Sequence, residues 1–198
     1  MNTRNILIVG VGGQGVVLAS NILAEAALKA GFDVKKTDTL GMAQRGGSVV
    51  SHLRYGASIA SPMIPQGEAD VIIAFEKLEA ARWIHFLQPD GAAVINDLAL
   101  PPLSVTLGNE IYQTDSELIT MLRRFSPKVY LVPGTGVAES LGNSKMVNTV
   151  LLGYACGLLK IDSELLMATI ESSLPEKLRR TNLAAFETGK TLFAKIIL

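Results

Sequence analysis

Apolar and polar positions change period several times along this chain, and each change marks an element. Ile6-Leu7-Ile8-Val9 is a continuous apolar run, the pattern of a strand covered on both faces. The spacing then becomes helical, with a stripe at Val16, Leu18, Ile22, Leu23, Ala26 and Ala27 that predicts a helix over 15–30 closed by Gly31. Residues 33–37 read as a second strand, which completes a strand–helix–strand unit. Over 48–55 the period falls to two, with Val49, Ser51, Leu53 and Tyr55 on one face and Val50, His52 and Arg54 on the other. Pro62 and Pro65 mark a loop, and 70–75 is another apolar strand. A helix over 76–87 is expected next. Glu76 and Glu79 favour its positive end, and Pro89-Asp90-Gly91 closes it.

The pattern continues with strands at 92–96 and 128–132, separated by an irregular stretch from Pro101-Pro102 and a helix over 116–125. The last third is helical, over 144–159, 162–172 and 182–197. Such alternation predicts an α/β fold: a three-layer α/β/α sandwich around a mostly parallel sheet that admits mixed strands, with a Rossmann-like start. No repeat, biased tract or linker divides the chain, so residues 1–198 are expected to form a single domain. In sheets of this kind ligands bind beyond the carboxyl ends of the strands. The glycine run after the first strand, the 41–54 segment and the Pro133-Gly134-Thr135-Gly136 turn are all expected at such ends.

Composition narrows the chemistry. Eighteen basic residues balance eighteen acidic ones, so no field draws the chain to nucleic acid or to an anionic membrane. Charged residues make up only 18% and the mean hydropathy is +0.34, which points to a surface partly covered by a partner. Cys156 is the only cysteine, so this chain alone cannot form a disulfide or ligate an iron–sulfur cluster. With His52 and His85 its only histidines, no metal site is expected. The 14 uncharged residues of 146–159 include Asn148, Gly153 and Gly157 and are too short and too polar to span a bilayer. Four glycines and Gln14 interrupt the apolar start before it can serve as a secretory signal, so the chain is read as cytoplasmic.

Two motifs carry candidate chemistry. Gly10, Gly12 and Gly15 have G-x-G-x-x-G spacing between a strand and a helix, where backbone N–H groups and the helix dipole hold an anion. Gly13 and Gln14 complete that turn. A dinucleotide reading wants an acidic residue ending the second strand, and Asp38 is the candidate. In the second motif Arg45 and Arg54 flank Gly46 and Gly47, and planar guanidiniums suit either phosphate or the acidic groups of a partner. His52, alone on its strand, reads as a hydrogen-bonded structural residue, and no nucleophile–base pair marks a catalytic residue.

Four segments carry a resemblance to a known family. These are Gly10-Val11-Gly12-Gly13-Gln14-Gly15, the 41–54 run Gly-Met-Ala-Gln-Arg-Gly-Gly-Ser-Val-Val-Ser-His-Leu-Arg, Gly67-Glu68-Ala69-Asp70, and the 141–148 run Leu-Gly-Asn-Ser-Lys-Met-Val-Asn. Together they resemble the gamma module of 2-oxoacid:ferredoxin oxidoreductases over nearly the whole chain, and within that family the beta subunit of the indolepyruvate branch. Thr37-Asp38-Thr39-Leu40 departs from that branch, where a Ser-Glu pair and a histidine usually precede the glycine. The resemblance implies a subunit inactive alone. A large alpha partner would carry thiamine diphosphate and iron–sulfur clusters, coenzyme A would be co-substrate and ferredoxin the electron acceptor. A free-standing Rossmann-type nucleotide-binding module with a regulatory role is the rival reading of the glycine turn.

Overall fold

The computed structural model describes residues 3–40, 47–101, 105, 107, 108 and 111–197. Among the described residues the strands are β1 (Arg4–Val11), β2 (Asp33–Leu40), β3 (Ser48–Gly56), β4 (Ala69–Ala74), β5 (Leu87–Asn96) and β6 (Lys128–Val132). The helices among the described residues are α1 (Val16–Lys29), α2 (Lys77–Trp83), α3 (Asp115–Leu122), α4 (Gly134–Ser140), α5 (Val147–Leu159), α6 (Ser163–Ser173) and α7 (Glu176–Ile197). The expected α/β fold is the observed one.

All the strands share one sheet, in the order β2-β3-β1-β4-β5-β6. β3 runs antiparallel to both of its neighbours, whereas β1, β4, β5 and β6 pair in parallel. The sheet is therefore mixed. β1 explains why its residues read as an unbroken apolar run: Ile6 and Ile8 enter a core shared with α1, α5, α6 and α7, while Leu7 and Val9 enter a second core beneath α2 and α3. A strand buried on both faces has no polar side to show.

Sequence and structure part in several places. The helix expected to run to residue 87 stops at Trp83, and after one 3-10 turn (Ile84–Phe86) β5 begins at Leu87. Pro89-Asp90-Gly91 lies inside that strand. Its register against β4 shifts between Ala69 and Val71, so the extra β5 residues form a bulge outside the pairing and the proline's missing N–H costs no ladder bond. The Pro133 turn opens a further short helix, α4. α7 starts at Glu176, well over one turn before the expected start at residue 182.

The longest helix contact is set by glycine. α5 is buried almost all round, and a Cβ on Gly153 would lie 2.0 Å from the Phe186 carbonyl oxygen of α7. In the other direction, a Cβ on Gly189 would lie 2.1 Å from the Val150 carbonyl oxygen. Two backbones this close leave no room for a methyl group. Gly153→Ala is expected to lower stability by about 3 kcal/mol, at the upper end of overpacking costs. Cys156, whose thiol burial pushes upward in pKa, lies on the same helix without such a contact, and Cys156→Ser should cost about 1 kcal/mol. Urea titration of the two variants checks the order; an equal loss would show that the glycine contact is not limiting.

Candidate functional site

β1 ends at Val11, and the chain turns through Gly12-Gly13-Gln14-Gly15 into α1. Gly13 and Gly15 hold φ at 99° and 91°, a region that side chains disfavour. Gly10 is required for space: a Cβ there would lie 2.7 Å from Gln14 Oε1 and 2.9 Å from Phe75 Cβ. The Gln14 side chain folds back over it. Its Oε1 accepts from the Val11 N–H at 2.7 Å, and its Nε2 donates to the Phe75 carbonyl at 3.3 Å.

The turn is less open than the glycine spacing suggested. The Gly12 N–H donates to the Gly47 carbonyl at 2.8 Å and the Gln14 N–H to the Val11 carbonyl at 3.1 Å. Among the described residues the Gly13 and Gly15 N–H groups find no acceptor in the chain. Those two, with the positive end of α1, are what the turn can offer an anion.

The Gly12–Gly47 bond brings the two motifs together at the carboxyl edge. Ser48 follows and donates to Glu79 Oε2 at 2.5 Å, and Arg82 donates to the other oxygen of the same buried carboxylate. Arg45 and Gly46 lie outside the described residues. Arg54 is at the opposite edge, because β3 runs antiparallel and pairs Arg54 with Asn5. Its guanidinium donates to Asn5 Oδ1 and to the Ser61 and Met63 carbonyls, so the structure does not unite it with the glycine turn. Nor does Asp38 reach that turn. β3 separates β2 from β1, and the Asp38 carboxylate is held by Ser51 and Lys36. The ribose-holding geometry of a dinucleotide site, with β2 beside β1, is absent from this sheet.

Beside the turn lies an open cleft of about 460 Å³. Gly13, Gly15 and Leu18 form one wall, Leu98 and Leu100 a second, and Thr135, Lys145 and Asn148 a third. It sits across the carboxyl ends of β1, β5 and β6, next to the β1/β4 point where the order of connection reverses. Asn96, the buried last residue of β5, fixes the far wall: its Nδ2 donates to Phe75 O and Thr135 Oγ1, and its Oδ1 accepts from the Thr135 N–H. Asn148 packs on Gly15, with Nδ2 3.1 Å from the place of a Cβ there.

Glu76 fixes the wall between. Only 1% exposed, it caps α2 by accepting from the Glu79 N–H, and its other oxygen accepts from the Leu100 N–H at 3.0 Å and the Tyr112 hydroxyl at 2.7 Å. Burial and the Glu76 carboxylate hold that hydroxyl far above its usual pKa. Lys77 anchors the same segment through Asp97 and Asp115. Burial opposes the charge on Lys77, but these two bonds outweigh it and keep the ammonium above its ordinary range. Glu76 was legible only as a helix-start acid, Thr135 only as part of the Pro133 turn, and Asn96 only as the end of a strand. A polar residue ending a wholly apolar strand was the available cue.

Among the described residues no group of three or more His, Cys, Asp or Glu is placed to hold a metal ion, and no helix is long and apolar enough to cross a membrane.

Residues 5–192 match the family described as pyruvate ferredoxin/flavodoxin oxidoreductase, and the chain belongs to that family. It is thus a subunit of a 2-oxoacid oxidoreductase. It is 39% identical over 187 residues to indolepyruvate oxidoreductase subunit IorB of Archaeoglobus fulgidus, covering 93% of this chain and 92% of that one. The IorB of Thermococcus kodakarensis is 36% identical over 192 residues, covering 96% and 95%. The fold matches the gamma subunit of a keto/oxoacid ferredoxin oxidoreductase from Geobacter sulfurreducens, with a TM-score of 0.71 at 20% identity over 97% of this chain and 99% of that one. It also matches a 2-oxoglutarate:ferredoxin oxidoreductase from Magnetococcus marinus solved with 2-oxoglutarate, coenzyme A and succinyl-CoA, with a TM-score of 0.77 at 21% identity. The match covers 98% of this chain but only 32% of that longer one.

His52 is buried; its Nδ1 accepts from the Ile64 N–H at 3.3 Å, and its ring meets Phe86 edge-on. Burial holds its pKa below the ordinary 6.5. Below 6.5 the unfolded chain therefore binds a proton that the folded chain refuses, so stability is full above that pH and falls as the pH drops through it. Thermal melts from about pH 8 to about pH 5 should show this loss, and His52→Gln should flatten it. An unchanged slope in the variant would assign the loss to other groups.

Proposed function

We propose that this chain is the smaller, non-autonomous subunit of a cytoplasmic indolepyruvate-type 2-oxoacid:ferredoxin oxidoreductase. The complex would decarboxylate an arylpyruvate oxidatively with coenzyme A, giving an acyl-CoA, carbon dioxide and reduced ferredoxin. The observation that carries this reading is the end-to-end similarity to curated IorB subunits, at 34–39% identity. The common gamma subunit of the pyruvate/ketoisovalerate enzymes of Pyrococcus furiosus is further away, at 29%. Thiamine diphosphate and the iron–sulfur clusters are assigned to a larger alpha partner, since one buried cysteine cannot ligate a cluster.

The part of this chain proposed to meet coenzyme A, or an acidic segment of the partner, is the cleft beside the glycine turn. Its position at the switch point, the Gly13 and Gly15 N–H groups, the start of α1 and the Lys145 ammonium on the rim support that assignment. A phosphate-bearing ligand suits these groups. The apolar wall of Leu18, Leu98 and Leu100 suits the pantetheine arm of coenzyme A better than a second anion.

The purified chain is expected to be colourless and inactive. Mixing it with the alpha partner should restore reduction of a low-potential dye that depends on both coenzyme A and indolepyruvate, with pyruvate a poorer substrate. Turnover by the chain alone, or preference for pyruvate, would refute the corresponding part. In the assembled complex Lys145→Ala should raise KM for coenzyme A about tenfold at unchanged kcat, the mark of lost ground-state binding. Failure to assemble would make the cleft a partner contact, and unaltered constants would remove it from the mechanism.

A further inference from the structure

β2 is an outer strand, and among the described residues only β3 pairs with it. Along its eight residues, Asp-Val-Lys-Lys-Thr-Asp-Thr-Leu, the outward N–H and C=O groups recur at every second position and can template a further strand. Two copies meeting by β2 about a two-fold axis pair antiparallel. Because the outward groups alternate, residues of the same parity must face one another.

That constraint leaves few registers. Centring the axis on Lys35, Lys36 or Asp38 sets like charges against each other, and centring nearer either end leaves a short overlap. Centring on Thr37 does the reverse. Lys36 of each copy then faces Asp38 of the other, Lys35 faces Thr39, and Thr37 faces its own counterpart. The charges are already ordered for this: Lys36 Nζ lies 2.5 Å from Asp38 Oδ2, the two side chains are 16% and 22% exposed, and Ser51 donates to the remaining Asp38 oxygen. In the pair each Asp38 would sit between two lysines and each Lys36 between two aspartates.

Charge on an edge strand ordinarily discourages strand addition. Here it acts as a filter, repelling most self-registers and admitting one. We propose that β2 is an interface between two copies of this chain, joined antiparallel about Thr37 into one continuous sheet. This inference is independent of the oxoacid and of coenzyme A.

Sedimentation of the full chain should show a dimer. Asp38→Lys should weaken it roughly tenfold or more. The charge-swapped double variant Lys36→Asp with Asp38→Lys should recover it. Cross-linking tests the register without relying on charge. In a Cys156→Ser background Thr37→Cys should form a disulfide-linked dimer on mild oxidation, because directly opposed Cα atoms in such a pair are about 4.5–5.5 Å apart. Lys35→Cys should not, since its counterpart in the other copy is displaced along the strand. Circular dichroism confirms that each variant is folded. A monomer at about 100 μM, where micromolar association would be complete, overturns the proposal. So does a dimer indifferent to Asp38→Lys that Thr37→Cys does not link, or a Thr37→Cys link formed to the alpha partner instead of a second copy.

Discussion

Everything at the carboxyl edge depends on β1 being sealed on both faces. Ile6 to Val9 have no exposed surface, and each face packs against a different helical layer. Such a strand cannot slip by one residue without exchanging its two cores, so its last residues are fixed in space. The turn that follows inherits that precision. Gly10 can lie against Phe75, and Gln14 can reach back over it, because neither β1 nor β4 has freedom to move away.

The segments legible in the sequence were those whose pattern is set by burial alone. β1, α1 and β6 fall where periodicity placed them, and the alternation over 48–55 marked β3 correctly. Direction was not legible. A strand's apolar pattern reads the same in either sense, and the register that pairs Asn5 with Arg54 and Val11 with Ser48 shows that β3 runs backwards. That reversal carries Arg54 to the far edge, and the insertion of β3 between β2 and β1 keeps Asp38 from the glycine turn. Pro89-Asp90-Gly91 misled for another reason. Turn residues also serve bulges, and a Cβ on Gly91 would lie 2.9 Å from the Ala69 carbonyl oxygen, so the glycine is there for the neighbouring strand.

The polar residues that fix the walls of the cleft are ones that no periodicity marks. Glu76, Asn96 and Asn148 are buried polar groups: Glu76 and Asn96 bond to backbone or hydroxyl groups of segments distant in sequence, and Asn148 Oδ1 accepts from the backbone and hydroxyl of Thr149 in its own helix. Burying such a group without partners costs about 1–3 kcal/mol, so each retains one conformation. Polar residues of this kind define the site's shape, while the apolar pattern defines only where the site is.

Gln14 gives the edge a further property. β1 and β4 part company beyond the bond from the Phe75 N–H to the Val9 carbonyl. The Gln14 amide occupies the next interval, accepting from Val11 on one strand and donating to the Phe75 carbonyl at the end of the other. A side chain thus supplies one more rung to a ladder whose backbones have already diverged. The mouth of the sheet is consequently braced before anything arrives. A molecule docking there meets a surface that needs no ordering, so little of its binding free energy is lost to organising the protein.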